Sequence, residues 1–305
     1  MASLTRRKFL QLAAAAGVVG LGADAAILEP MHPRVVRLDI PLARLPEAFD
    51  GFTIVQLSDF HYDPYFSIVA IRHAVELANG LNPDLLVLTG DFITVPVAAS
   101  YFHNRKHAAL NAEPCANLLS QIRAPMGRFC VLGNHDVGAH KRLITEILGS
   151  HQLPVLDNQS FPLRRNGARL WLAGVDDCLD GQPDFDLALK GIPRDDAVVM
   201  LAHEPDVADR VKTYPVDLQL SGHSHGGQVW IPGIGAPWLP RLARKYPRGL
   251  RQLGPLTLYT NFGLGTIRLP IRLYCPPEVT LITLRSGRGL PTSSNQTLRP
   301  PPLSS

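Results

Sequence analysis

Residues 129–136 read FCVLGNHD: four apolar residues, Phe129, Cys130, Val131 and Leu132, run without a break into Gly133, Asn134, His135 and Asp136. A short apolar run closed by glycine reads as a strand buried on both faces. After the glycine come an amide, an imidazole and a carboxylate, side chains that can ligate a cation as well as close a turn. The same order recurs along the chain. Residues 52–57 (FTIVQL) lead through Ser58 to Asp59, Phe60 and His61, and residues 85–88 (LLVL) lead to Thr89, Gly90 and Asp91. Residues 197–202 (AVVMLA) end at His203, and 217–220 (DLQL) lead to Gly222-His223-Ser224-His225-Gly226-Gly227.

Between these strands the spacing turns helical. Residues 68–78 place Ile71, Val75 and Ala78 on one face, and 140–148 read as a second helix. Further strands are expected at 168–175, 229–231, 257–260 and 279–284, with helical segments near 185–189 and 207–212. Strand, loop and helix alternate from about Val35, which argues for an α/β fold. With no internal repeat and no long linker, residues 26–285 are expected to form one domain. The stretch 286–305 (SGRGLPTSSNQTLRPPPLSS) is rich in Gly, Pro, Ser and Thr and is expected to be a disordered tail.

In open α/β sheets the loops at the carboxyl ends of strands converge on one crevice. Each polar motif alone reads more simply as a turn, and His203 alone as a hydrogen-bonded core histidine. Five in order, each directly after an apolar strand, point to one site. Oxygen and nitrogen donors of this mixture suit manganese, iron or zinc. The four cysteines (Cys115, Cys130, Cys178, Cys275) are widely spaced with no CxxC, so no thiolate zinc site is announced. The donors are too many for one ion, and a carboxylate can bridge a pair.

The chain has 305 residues, 46% of them hydrophobic and 18% charged, enough to bury a core. No apolar run reaches the roughly 18 residues that cross a bilayer, which excludes a polytopic membrane protein. Residues 1–25 hold Arg6, Arg7 and Lys8 against one acid, Asp24; without them the net charge falls from +4 to +2. Such a body is no specific nucleic-acid binder. The arginine pair, Phe9-Leu10, an Ala-rich stretch and Ala23-Asp24-Ala25 resemble a twin-arginine export signal. The expectation is export into the periplasm or cell envelope through the Tat machinery, with cleavage after Ala25 or with the segment kept as a tether.

The order Asp-x-His, Gly-Asp, Gly-Asn-His-Asp, His, Gly-His-x-His resembles the calcineurin-like metallophosphoesterases, over about residues 52–284. Residues 222–228 (GHSHGGQ) and 277–284 (PEVTLITL) are similar to an exported bacterial branch of small phosphodiesterases, and also to UDP-2,3-diacylglucosamine pyrophosphatases. The resemblance implies a four-layer α-β-β-α sandwich of two mixed β-sheets flanked by helices, the metallo-dependent phosphatase fold. It implies two divalent ions, with manganese favoured. Asp59, His61 and His225 would hold the first, Asn134, His203 and His223 the second, and Asp91 would bridge them. His135 would face the phosphate and Asp136 would orient His135. The implied reaction is hydrolysis of a phosphodiester or pyrophosphate by attack of a metal-bridging hydroxide. A UDP-2,3-diacylglucosamine pyrophosphatase and a non-catalytic binding module remain as rival readings, although no ligand position is missing.

Two features bear on the substrate. Where relatives often carry an arginine before glycine, this chain has Phe262, which leaves Arg268 and Arg272 as candidate phosphate clamps unless Phe262 merely packs. Residues 229–251 interleave Trp230, Ile231, Trp238, Leu239 and Leu242 with Arg241, Arg244, Lys245, Arg248 and Arg251. This stretch reads either as a peripheral contact with a membrane surface, beside a lipid-linked phosphate substrate, or as a Pro-stiffened loop packed over the core.

Overall fold

The computed structural model describes residues 22–95 and 102–293, with positions 5–8, 11, 17 and 20 ahead of them. Most of the segment expected to be an export signal, and residues 294–305 of the expected tail, lie outside the described residues.

Two six-stranded mixed sheets pack face to face. The first has the order β12-β1-β11-β2-β3-β4, built from β1 (Arg34–Leu42), β2 (Thr53–Leu57), β3 (Leu85–Thr89), β4 (Arg128–Val131), β11 (Glu278–Ser286) and β12 (Thr292–Ser293). The second has the order β5-β6-β7-β8-β10-β9, from β5 (Gln159–Arg165), β6 (Ala168–Gly174), β7 (Ala197–Leu201), β8 (Leu218–Ser221), β9 (Gly249–Leu253) and β10 (Leu256–Thr260). Strands β2, β3 and β4 run parallel, as do β6, β7, β8 and β10, so their carboxyl ends open on a shared edge. Every residue of β3 and of β7 is buried, because both faces of each strand are covered.

Helices close the outer faces. On the first sheet lie α1 (Ser67–Leu81), α2 (Phe102–Ala109), α3 (Ala112–Leu119) and α4 (Asn134–Ser150); α5 (Phe185–Ala188) and α6 (Ala208–Val211) cover the second. Helix α1 buries Ala70, Ile71, Ala74, Val75 and Ala78, the i, i+4 face of an amphipathic helix. It begins where the Asp63 carboxylate accepts the backbone N–H groups of Tyr65, Phe66 and Ser67, and it ends at Asn82 in the left-handed conformation. Three apolar cores result: one between the sheets, one under α1, α3 and α4, and one under α5 and α6. The α-β-β-α order expected of the sequence is the observed one.

Residues 229–231 differ from expectation. Val229 makes only an isolated bridge with Leu273, and Ile231 only one with Gly235, so the β-branched run is a loop. Thr292 and Ser293 pair antiparallel with Asp39 and Leu38, so strand structure occurs inside the stretch expected to be a tail. All four cysteines are free.

A polar bridge crosses the apolar layer between the sheets. Glu278, at the start of β11, accepts from the Tyr259 hydroxyl of β10, from the Thr280 hydroxyl and from the Asn261 amide at 3.4 Å. Asn261 in turn donates to Thr280 at 2.8 Å and accepts the Gly263 N–H at 2.7 Å. Burial pushes the Glu278 carboxyl up from its ordinary 4.5 to about 7. Folding therefore binds a proton across that window, and stability is full below the unfolded value and declines as pH rises through the folded one. Glu278→Gln keeps the hydrogen bonds and removes the titration. Between pH 4.5 and pH 8 the wild type should lose on the order of 3 kcal/mol relative to this variant, measured by urea denaturation. A constant difference would show that the folded carboxylate is charged throughout.

Candidate metal centre

Both sheets contribute to one buried cluster at the shared edge. From the first sheet, the loop after β2 carries Asp59 and His61, the loop after β3 carries Asp91, and the start of α4 carries Asn134 and His135. From the second, His203 follows β7, and His223 and His225 follow β8. Asp59, His61, Asp91, His223 and His225 all have positive φ, between 41° and 67°, a conformation that non-glycine residues seldom adopt. Two glycines permit the approach of the loops. A Cβ at Gly222 would lie 2.3 Å from Asp59 Oδ2, and one at Gly133 would lie 2.3 Å from Asp91 Oδ1.

Among the described residues three groups of donors could each hold a cation, Asp59-His61-His225, His61-Asp91-His135 and Asp91-His203-His223, and the first and last, which share no residue, form two separate triads. His61 Nε2 and His225 Nε2 are 3.0 Å apart, and His225 Nε2 is 3.5 Å from Asp59 Oδ1. His203 Nε2 and His223 Nδ1 are 3.2 Å apart. Asp91 Oδ2 stands between the triads, 3.5 Å from His61 Nε2 and 3.3 Å from His203 Nε2.

Outer contacts fix which ring nitrogen faces in. A carbonyl can only accept, so His203 Nδ1 donates to Thr89 O at 2.6 Å and Nε2 is the nitrogen that faces the cluster. Burial alone would lower this imidazole, but the Asp91 carboxylate outweighs it and holds His203 well above its ordinary range, so a cation at Nε2 displaces a proton. His223 Nε2 donates to Arg241 O at 2.9 Å, which leaves Nδ1 to face the cluster. His61 Nδ1 meets the Thr94 hydroxyl at 3.0 Å. Burial pushes His61 down to about 3 and His223 down to about 4, and it holds His225 well below its ordinary range. These imidazoles are neutral at pH 7, the state a cation needs. Burial alone would raise Asp91, but the imidazoles of His203 and His135 outweigh it and hold the carboxyl well below its usual range. The Asn134 Oδ1 atom is buried without a hydrogen-bond partner, as expected of an amide oxygen reserved for a cation. The donor set fits two divalent ions that share Asp91, with Asp59, His61 and His225 towards one and His203 and His223 towards the other.

One expected role needs correction. Asp136 does not orient His135. Its Oδ2 accepts the N–H groups of Asp91 at 2.8 Å and Gly133 at 3.0 Å, and its Oδ1 those of Phe92 at 2.9 Å and Ile93 at 3.3 Å. Asp136 is the third residue of α4 and closes a capping box that also grips the loop carrying Asp91. His135 is held otherwise: its Nδ1 accepts the Val95 N–H at 3.0 Å, and its ring packs edge-on to His61 with centroids 4.9 Å apart.

Other arginines and acids fall differently from the sequence reading. Arg272 is fully buried and donates to the carbonyls of Phe262, Cys275 and Gly265, so it is no phosphate clamp. Phe262 packs, with the Arg248 guanidinium 4.3 Å from its ring and 4.3 Å from that of Trp230. Sequence reasoning missed Asp177 and Glu204, both fully buried beside His203. Burial, then the neighbouring Asp177 carboxyl, keeps the Glu204 carboxyl well above its usual range. The signal was present: Asp176-Asp177 comes directly after a strand end, as the other site residues do.

A model of the calcineurin-like phosphoesterase family matches residues 52–227. The uncharacterized metallophosphoesterase YkuE of Bacillus subtilis is 36% identical, covering 94% of this chain and 99% of its own. The phosphodiesterase YaeI of Escherichia coli is 32% identical over 92% of this chain and 99% of its own. The UDP-2,3-diacylglucosamine pyrophosphatase LpxG of Chlamydia muridarum is 28% identical over 84% and 90%.

Asp136→Ala removes the acceptor of four backbone N–H groups. It should cost about 3 kcal/mol in stability and lower the occupancy of both ions, read by thermal unfolding and elemental analysis. Unchanged occupancy would show that the loop carrying Asp91 is held without it.

Proposed function

The chain belongs to the calcineurin-like phosphoesterase family, and on that premise we propose that it is a two-metal phosphodiesterase working with manganese. The observation that carries this reading is the placing of Asp91 Oδ2 between His61 of one triad and His203 of the other, at 3.5 and 3.3 Å. Bound there, two divalent ions supply Lewis acidity towards phosphoryl oxygens and make water acidic enough to react near neutrality.

The chain's own groups do the remaining work. Asp91 ties the two triads together and so fixes the spacing of the centre. His135 is half-buried at its rim, and because Nδ1 accepts from Val95, its proton sits on Nε2. Hydrolysis adds one water across a P–O bond: its oxygen ends on phosphorus and a proton on the leaving alkoxide. The proton on the leaving oxygen comes from the attacking water, and the His135 Nε2–H hydrogen-bonds a phosphoryl oxygen or the leaving oxygen. A diester carries a single negative charge, and this supports a diester over a monoester here, since Arg248 and Arg272 are engaged elsewhere. The name of the relative YaeI supports the same class.

The paired arginines ahead of the Ala-rich stretch support export of the folded, metal-loaded enzyme across the cytoplasmic membrane. The N-terminus of the protein recovered from cells, and its accessibility to protease after the envelope is stripped, check this. A body outside the membrane is the expected result. A protected body retaining Met1 or Ala2 would instead favour a cytosolic nucleotide-lipid pyrophosphatase, the activity that the relative LpxG is named for.

His135→Ala should lower kcat on bis(p-nitrophenyl) phosphate by about a hundredfold or more while two manganese ions per chain remain bound. Turnover at the wild-type rate would remove His135 from the chemistry.

A further inference from the structure

Beside His225 lies an apolar pocket of about 260 Å³, walled by Ser224 and His225 and lined by Val229, Trp238, Ile267 and Leu269 among others. His225 belongs both to this wall and to the metal-holding triad, so the pocket adjoins the reaction centre through that residue.

The surface around its mouth is unusual for a protein that meets only water. Twelve large apolar side chains are exposed among the described residues, and eight of them sit on segments joined to this rim. Trp238 and Leu269 form its lips. Ile234, 78% exposed, tips the turn after Trp230, whose N–H donates to Leu273 O at 2.8 Å. Next to Leu273, exposed Tyr274 donates its N–H to Glu29 Oε2 at 3.1 Å, and Arg272 N donates to Ala25 O at 2.8 Å. These bonds bring exposed Ile27 and Leu28 onto the same face. Phe66, with Tyr65 beside it, adjoins through a small cavity shared with Pro30, Met31 and Pro270. Exposed apolar side chains gathered on neighbouring segments in this number mark an interaction surface.

Its charge selects the partner. The Arg268 guanidinium stacks on Trp238, 4.5 Å from the ring centroid, and Arg241 and Arg244 are exposed on the loop beyond Trp238. Aromatic and aliphatic tips set among arginines suit the headgroup layer of an anionic bilayer. We propose that this face seats on such a membrane and that the pocket beside His225 receives the acyl chain of a lipid phosphodiester whose phosphate lies over the metals. The proposal rests on the phosphodiesterase reading and narrows its substrate class to membrane lipids.

Two measurements on the full, manganese-loaded chain test it. In the first, p-nitrophenyl methyl phosphate is compared with p-nitrophenyl octyl phosphate below micelle-forming concentrations. The octyl ester should be favoured in kcat/KM by about tenfold or more, and Leu269→Asp and Trp238→Ala should each bring the ratio towards one. Equal kcat/KM for the two esters would overturn the acyl pocket and leave the phosphodiesterase reading intact, whereas no turnover of either ester would overturn that reading instead. In the second, the chain is sedimented with vesicles of phosphatidylcholine and phosphatidylglycerol, or of phosphatidylcholine alone. Binding should favour the anionic vesicles, and Ile234→Asp combined with Leu269→Asp should lower the bound fraction several-fold with the leader unaltered. Unchanged binding in the double variant would overturn the membrane seat. So would conversion of a dimer to monomers by the same substitutions, which would assign the rim to a second copy of the chain.

Discussion

The two sheets meet at a carboxylate oxygen. Asp91 Oδ2 faces His61 of the first sheet and His203 of the second, and around it imidazole nitrogens approach one another to 3.0 and 3.2 Å. Side chains from five separate loops meet at common points only where the backbone turns sharply, so the backbone must impose the arrangement. It does so through left-handed residues at five of the donor positions and through glycines where loops touch. The strain is confined to loop residues, while the strands beneath are regular and fully buried. Those strands meet across an apolar core, and Glu278 with Tyr259 links the sheets a second time. The registration of the sheets and the spacing of the donors are therefore one problem with one solution.

Asp136 shows why adjacency in sequence misleads. Expected to steady its neighbour His135, it points away and gathers four N–H groups from the loops after β3 and β4. As the third residue of a helix, its side chain reaches back over the helix start, where unpaired N–H groups lie. His135, one residue earlier, is steadied further along the same loop by the Val95 N–H. The two residues thus divide the labour: one builds the loop that presents Asp91, and the other stands at the rim.

The same physics decides how much was legible in the sequence. Strands buried on both faces, such as β3 and β7, are continuous apolar runs and were readable, and the donors stood directly after them. Several strands at or near an edge were not, although β4 at an edge and β6 and β10 beside one were. In β1 the run RVVRLDIPL is broken by Arg37, Asp39 and Pro41; β5 carries Pro162; β9 (GLRQL) is half polar. Pairing with a neighbour, not composition, makes these segments strands. Conversely, Val229 and Ile231 are β-branched but find only isolated bridges. The Asp177–Glu204 pair escaped notice because its function is visible only once β6 and β7 lie side by side, which brings the loop after β6 against His203.

The arginines bear on selectivity. Arg272 is committed to three carbonyls, Arg248 is held between two rings, and Arg268 stacks on Trp238. Of these three, only Arg268 is exposed, and it stands at the pocket mouth. The charge of a bound phosphate is left to the cations, to the N–H of His135 and to the start of α4, whose peptide dipoles favour an anion. These elements recognise any phosphoryl group alike. Discrimination between substrates must come from what the phosphate carries, and the surface adjoining the donors is apolar along the wall shared with His225. A centre that treats phosphates alike, set beside a wall that does not treat their substituents alike, selects by the substituent.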